Sequence, residues 1–158
     1  MKSRVRFALL RPERLRIHEE IVPDRVEALV QEIRGSGRVE QPILVARGSG
    51  VVLDGHHRFE ALRRLGVHKV PAWVIEYDDP LVQLDRWDAG PPLSKRDVVE
   101  RARAGRLFPP KTSRHRVMIE LPARPIPLDE LMTAAPRRPG SGRRARSTRP
   151  GPAAPRPE

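Results

Sequence analysis

The sequence predicts an α+β fold in one domain, residues 1–135, followed by a disordered basic tail, residues 136–158. Three observations carry this. Short apolar runs of strand length interleave with segments whose apolar residues recur at helical spacing. The chain has 158 residues with 38% apolar content, enough for one real core. The end of the chain then loses its apolar side chains: residues 136–158 hold seven arginines and one glutamate among prolines and glycines, a composition that cannot bury a core.

The elements run in order along the chain. Residues 4–10 alternate as a strand, with Val5, Phe7 and Leu9 on one face. A loop through Val22 carries His18-Glu19-Glu20. Pro23-Asp24-Arg25-Val26-Glu27 opens a helix, with Asp24 as cap, Glu27 completing a capping box, and Val26, Leu29, Val30 and Ile33 as the buried stripe. Gly35-Ser36-Gly37 ends it. Residues 41–46 form a strand that turns at Arg47-Gly48-Ser49-Gly50 into Val51-Val52-Leu53. A helix comes next and runs to Gly66, then a strand from Val70 to Tyr77 and a weakly alternating one from Leu81 to Trp87. Ser94-Lys95-Arg96-Asp97 opens a further helix that stops at Gly105. The paired prolines make residues 106–115 a loop, before a last strand from Val117 to Leu121 and a short helix from Leu128 to Met132.

Charge and composition exclude several classes of function. The net charge is +11, but +6 of it belongs to residues 136–158, which leaves +5 for the rest. The tail can touch nucleic acid non-specifically, or serve only as a solubilising extension. With no cysteine there is no disulfide, thiolate metal site or thiol nucleophile. No run of 18 apolar residues occurs and the N-terminus lacks an apolar signal core, so the expected location is the cytoplasm, without a membrane.

The stretch Val51-Val52-Leu53-Asp54-Gly55-His56-His57-Arg58 reads as a buried strand, a tight turn and a helix start. A helix start offers unpaired N–H groups and partial positive charge, so with His57 and Arg58 beside it an anion, phosphate first, has a place to sit. A plainer reading makes Asp54 a helix cap and leaves the histidines solvated. Three further polar clusters are candidates to join it: His18-Glu19-Glu20, Asp85-Arg86-Trp87-Asp88 and Lys111-Thr112-Ser113-Arg114-His115. Converged, they would supply carboxylates for a divalent ion or a proton and cations for phosphate, the equipment of phosphoryl transfer. No Walker loop and no HExxH occur, and neighbouring helical residues point about 100° apart, which disfavours zinc on His56 and His57. Magnesium held by Asp54 and nucleotide phosphates is the more plausible ion.

The Asp54-Gly55-His56-His57-Arg58 motif, followed by Ala61-Leu62 and Leu65-Gly66, resembles the core motif of the ParB/sulfiredoxin superfamily. Three other segments narrow the likeness to the free L-serine kinases that use ADP or ATP. They are His18-Glu19, Trp87, and Phe108-Pro109-Pro110-Lys111-Thr112-Ser113-Arg114-His115. The resemblance covers about residues 5–120 and implies a small mixed sheet flanked by helices. It further implies transfer of a phosphoryl group from ADP or ATP, with Mg2+, to the hydroxyl of L-serine. Glu19 would be the base and Asp54 would sit at the magnesium and reacting phosphate. Gly55, His56, His57, Arg58, Lys111, Thr112, Ser113, Arg114 and His115 would hold phosphates, with Trp87 walling the serine pocket beside His18 and Glu20. The 23 residues between Trp87 and Lys111 are fewer than the archaeal kinases carry there. Sulfiredoxin chemistry needs a cysteine that is missing. A ParB-like nucleotide-dependent DNA-binding or regulatory protein is the alternative, although residues 121–158 are too short and proline-rich for a helix-turn-helix domain.

Overall fold

A computed structural model describes residues 4–133; the expected tail lies outside them. The framework is a four-stranded mixed sheet ordered β1-β5-β3-β4, from β1 (Val5–Leu10), β3 (Ile43–Ala46), β4 (Val52–Asp54) and β5 (Val70–Ile75). β1 runs antiparallel to β5, β5 parallel to β3, and β3 antiparallel to β4. All four residues of the inner strand β3 are buried, because both faces of the sheet are covered. Pro71 fits in β5 because its position pairs only with Leu9 of β1, one step before the ladder with β3 begins at Ala72.

On one face lie α1 (Pro23–Ser36) and α2 (His56–Arg64), whose Val26, Val30, Ile33, Phe59 and Leu62 close a core over Ile43, Val45 and Ala72. On the other face Leu44, Ala46 and Ile75 pack with Val82, Val98 and Phe108. These come from β6 (Val82–Arg86), α3 (Lys95–Ala104) and the loop before β7 (Ser113–Val117). β6 and β7 form a separate antiparallel ribbon, and β2 (Arg38–Val39) pairs with β8 (Ile126–Pro127) just before α4 (Leu128–Met132). Two-residue strands carry no alternation, so the β2–β8 ladder had no sequence signal.

Two local expectations are corrected. Asp24 and Glu27 form no capping box: the N-cap of α1 is Val22, Pro23 starts the helix with its fixed φ and absent N–H, and Glu27 instead accepts from Gln31. On β1 Ala8 and Leu10 face the helical core, and Val5, Phe7 and Leu9 lie on the opposite face as expected, with Phe7 edge-on against Trp73 and Leu9 exposed. Alternation separates two faces of a strand without saying which one the helices will cover. The last predicted strand shifts to Ser113–Val117, so Ser113, Arg114 and His115 belong to the ribbon rather than a loop. At the start of α3 a capping box is present, with the Ser94 hydroxyl accepting from the Asp97 N–H and the Asp97 carboxylate accepting from the Ser94 N–H.

Segment 15–20 fixes one wall of the main cleft. It is extended and pinned on both sides: Arg16 exchanges backbone bonds with Gly50 and Val52, and Phe108 pairs across to His18 and Glu20. A stretch that reads as loop is thereby held like a strand, with Glu19 facing the start of α2.

Candidate active site

The turn from β4 into α2 sets the site. Gly55 is the N-cap of α2 at φ +99°, and a Cβ there would stand 2.7 Å from the Ile43 side chain and 3.0 Å from the Arg58 guanidinium. No side chain caps the helix, and its first intrahelical bond runs from the Phe59 N–H to the Gly55 carbonyl. The N–H groups of His56, His57 and Arg58 therefore have no partner within the helix. Asp54 is not a cap; it ends β4, exposed at the mouth of the turn.

In front of this helix start lies a cleft of about 500 Å3. It brings together residues from all four predicted clusters: Glu19, the run Asp54 to Arg58, Trp87, and Lys111 with Ser113, Arg114 and His115. Six residues of these clusters fall outside its lining; Asp85, Arg86 and Asp88 are taken up in ion pairs, Asp85 with Arg116 and Arg86 with Asp88. His18 is fully buried behind the cleft, Glu20 is exposed, and Thr112 is buried with its hydroxyl donating to the Pro109 carbonyl. Conversely, Arg25, Ala28 and Leu29 of α1 line the cleft and were missed. Their i, i+3, i+4 spacing was the available signal, but it lies beside the stronger apolar stripe of the same helix.

The charge of the cleft is mostly positive and mostly uncompensated. Arg25, Arg58 and Lys111 line it, and none of the three makes an ion pair among the described residues. Burial of the Arg58 guanidinium pushes its pKa down, while Asp54 and Glu32 pull it back up. Arg114 lies 4.6 Å over the ring of Trp87, which is 57% exposed at the rim.

The histidines are engaged within the protein. His57 Nε2 accepts from the Val22 N–H at 2.9 Å, tying the start of α1 to the start of α2, and burial lowers its pKa with Arg25 and Lys111 adding to the effect. The His56 ring is buried edge-on to His18, with Nε2 3.1 Å from His18 Nδ1. Burial lowers the pKa of His56 well below the usual range, and that of His18 to about 4. His115 meets the Tyr77 hydroxyl at 2.6 Å and is lowered to about 3 by burial, which also raises the pKa of the Tyr77 phenol. All are neutral at physiological pH, so His56, His57 and His115 add no cationic charge for a phosphate; that falls to Arg25, Arg58, Lys111 and the open end of α2.

Glu19, 8% exposed, is held by the segment just beyond the paired prolines. Its Oε1 accepts the Lys111 N–H at 3.0 Å and its Oε2 accepts the Ser113 N–H at 2.7 Å. Lys111 adopts φ +59°, a left-handed conformation rare for lysine, at the position between Pro110 and Thr112 where the chain reverses. One carboxylate is thus gripped by alternate N–H groups of one turn.

As for a metal, no group of three His, Cys, Asp or Glu side chains converges among the described residues. Magnesium needs only one or two carboxylates when phosphates and water complete its shell, and exposed Asp54 beside the helix start fits that minimum.

Comparison with known proteins places this architecture. An ATP-dependent L-serine kinase from Staphylothermus marinus is 45% identical over 83 residues, 50% of this chain and 33% of the relative. The ADP-dependent L-serine kinase SerK of Thermococcus kodakarensis is 28% identical over 103 residues, 63% of this chain and 43% of the relative. The chain thus matches between a third and a half of the length of these curated relatives. A solved structure of a free serine kinase in complex with AMP superposes with a TM-score of 0.73 at 17% identity, over 82% of this chain and 95% of that one, and shows the shared fold. The sequence profile of the ParB N-terminal domain matches residues 3–84, just over half of the chain, and the chain therefore belongs to the ParB N-terminal domain family.

Proposed function

We propose that the protein is a small-molecule kinase that transfers the terminal phosphoryl group of ADP or ATP to the hydroxyl of free L-serine, giving O-phospho-L-serine. The observation that carries this reading is the opposition of a buried carboxylate, Glu19, to an uncapped helix start with unpaired Arg58 and Lys111 across one cleft. The likeness to curated serine kinases supports the choice of acceptor.

The residues divide the work. The N–H groups at the start of α2, with Arg58, Lys111 and Arg25, hold the nucleotide phosphates and spread the charge that builds up on them. Glu19 takes the proton of the serine hydroxyl: both lone pairs of Oε2 face Ser113, but Oε1 keeps one beyond its bond to the Lys111 N–H. The hydroxyl oxygen bonds to the terminal phosphorus as the bond to the bridging oxygen breaks, and the shortened nucleotide departs. Magnesium, held by Asp54 and the phosphates, would neutralise phosphate charge. Trp87 and Arg114 form the exposed rim against which the amino acid rests.

The test is formation of O-phosphoserine from L-serine and magnesium with ADP, ATP and CTP in parallel, read by mass spectrometry. Product is expected with ADP or ATP, and Glu19→Ala is expected to abolish it while the variant stays folded. Absence of product with every nucleotide, together with CTP-dependent DNA binding, would favour the ParB-like alternative.

A further inference from the structure

Behind Glu19 lies a buried row of polar side chains to which the kinase mechanism assigns no task. The Ser113 hydroxyl is 2.5 Å from Glu19 Oε2, His18 Nε2 is 2.8 Å from the same hydroxyl, and His56 Nε2 is 3.1 Å from His18 Nδ1. Ser113 is 8% exposed and His18 is 0% exposed, so water does not compete for these contacts.

Counting protons orients the row. An ionised Glu19 can only accept, so the single hydroxyl proton of Ser113 points to it. The lone pairs left on that oxygen face His18 Nε2, which must carry hydrogen. His18 Nδ1 is then an acceptor, met by a hydrogen on His56 Nε2. The geometry also lets the buried backbone N–H of His18 donate to His56 Nε2 at 3.3 Å, and with hydrogen on Nε2 that N–H gives up its acceptor, which is the cost of this orientation. Burial keeps His18 neutral, as one hydrogen per ring requires. All the hydrogens in the row point toward the carboxylate.

We propose that Ser113, oriented by His18, is a positioning residue that holds the Glu19 carboxylate aimed at the substrate hydroxyl. This rests on the kinase reading, in which Glu19 is the base. In this role Ser113 acts through Glu19: the Ser113 and Lys111 N–H groups fix where the carboxylate is, and the Ser113 hydroxyl fixes its rotation. Without the hydroxyl, Oε2 regains a free lone pair and the carboxylate loses the side-chain contact that fixes its rotation.

Two measurements on the intact protein test this separately. In long-range 15N–1H spectra at neutral pH, His18 is expected as the Nε2–H tautomer, with a changed signal in Ser113→Ala. An Nδ1–H tautomer, donating to His56 or to the nearby Val52 carbonyl, would reverse the row and overturn the proposal whether or not the protein is a kinase. In steady-state assays, Ser113→Ala is expected to lower kcat at least about tenfold, part of the roughly 10^2- to 10^4-fold that a placed base contributes. KM for serine and nucleotide should stay within about twofold, and Ser113→Thr, which keeps a hydroxyl, should restore most of kcat. Unchanged kcat in Ser113→Ala, or equal loss in the alanine and threonine variants, overturns it. A wild-type protein that makes no phosphoserine refutes the kinase reading, and with it the catalytic part of the proposal, while the tautomer experiment still decides the hydrogen-bond row.

Discussion

Gly55→Ala isolates the feature on which the cleft depends. The residue sits at φ +99°, and forcing an L side chain into positive φ costs about 1–2 kcal/mol. The new Cβ would also stand 2.7 Å from Ile43 Cγ2, a buried side chain of the inner strand β3 that cannot retreat without disturbing the sheet. Overpacking of that kind adds about 1–3 kcal/mol, so the expected loss is about 2–5 kcal/mol. Gly48→Ala is the internal control. It has nearly the same conformation, φ +85°, with nothing within 4 Å of where its methyl would stand, and should pay only the conformational cost. Urea unfolding followed by circular dichroism gives both values, and their difference measures the steric part. The methyl of Gly55→Ala would press on the Arg58 guanidinium at 3.0 Å, so nucleotide affinity should fall in Gly55→Ala and not in Gly48→Ala. If the two variants lose equal stability, or if Gly55→Ala loses less than about 1 kcal/mol, the close approach at this turn is not what shapes the helix start.

Two further outcomes are expected. Folded-state pKa values of about 4 for His18 and about 3 for His115 lie below the unfolded value of 6.5, so between these limits the unfolded chain binds more protons and folding weakens as pH falls. Stability by urea titration should be flat above pH 6.5 and decline below it with a slope approaching about 1.4 kcal/mol per pH unit for each histidine, and a flat profile down to pH 4.5 would refute the buried neutral state. Arg58→Met removes a half-buried cation that makes no ion pair, so the unliganded protein should melt at the same or a higher temperature while nucleotide binding weakens about 10- to 100-fold. A variant that ADP or ATP still stabilises as it does the wild type would place the phosphates elsewhere.

Which parts were legible in the sequence depends on the range of the physics involved. The turn at Asp54-Gly55, the helix start at Ser94 and three of the four residues of the α1 stripe (Val26, Val30 and Ile33, with Leu29 only half-buried) are local, set by residues within a few positions of one another, and the structure holds them as read. That four separate segments meet in the cleft was readable because clusters of ionisable residues have few other reasons to occur in so small a domain, whereas the contribution of Arg25, Ala28 and Leu29 of α1 was not.

The state of each residue inside that cleft was not readable. His56 and His57 look alike in sequence, yet one faces inward to His18 and the other reaches the Val22 N–H, because a helix turns neighbours about 100° apart. His18 and Glu19 differ in the same way: a strand-like segment pinned between Gly50 and Phe108 sends adjacent side chains to opposite sides, one into the protein and one to the cleft. Which cations stay unpaired, and that three histidines are neutral, depend on burial and on partners from 35 to 95 residues away in the chain. Sequence alone determined the chemical inventory and the local turns that carry it. Tertiary structure decided which groups face one another and which are cut off from water, since hydrogen bonding, charge and proton affinity depend on distances that only the folded chain sets.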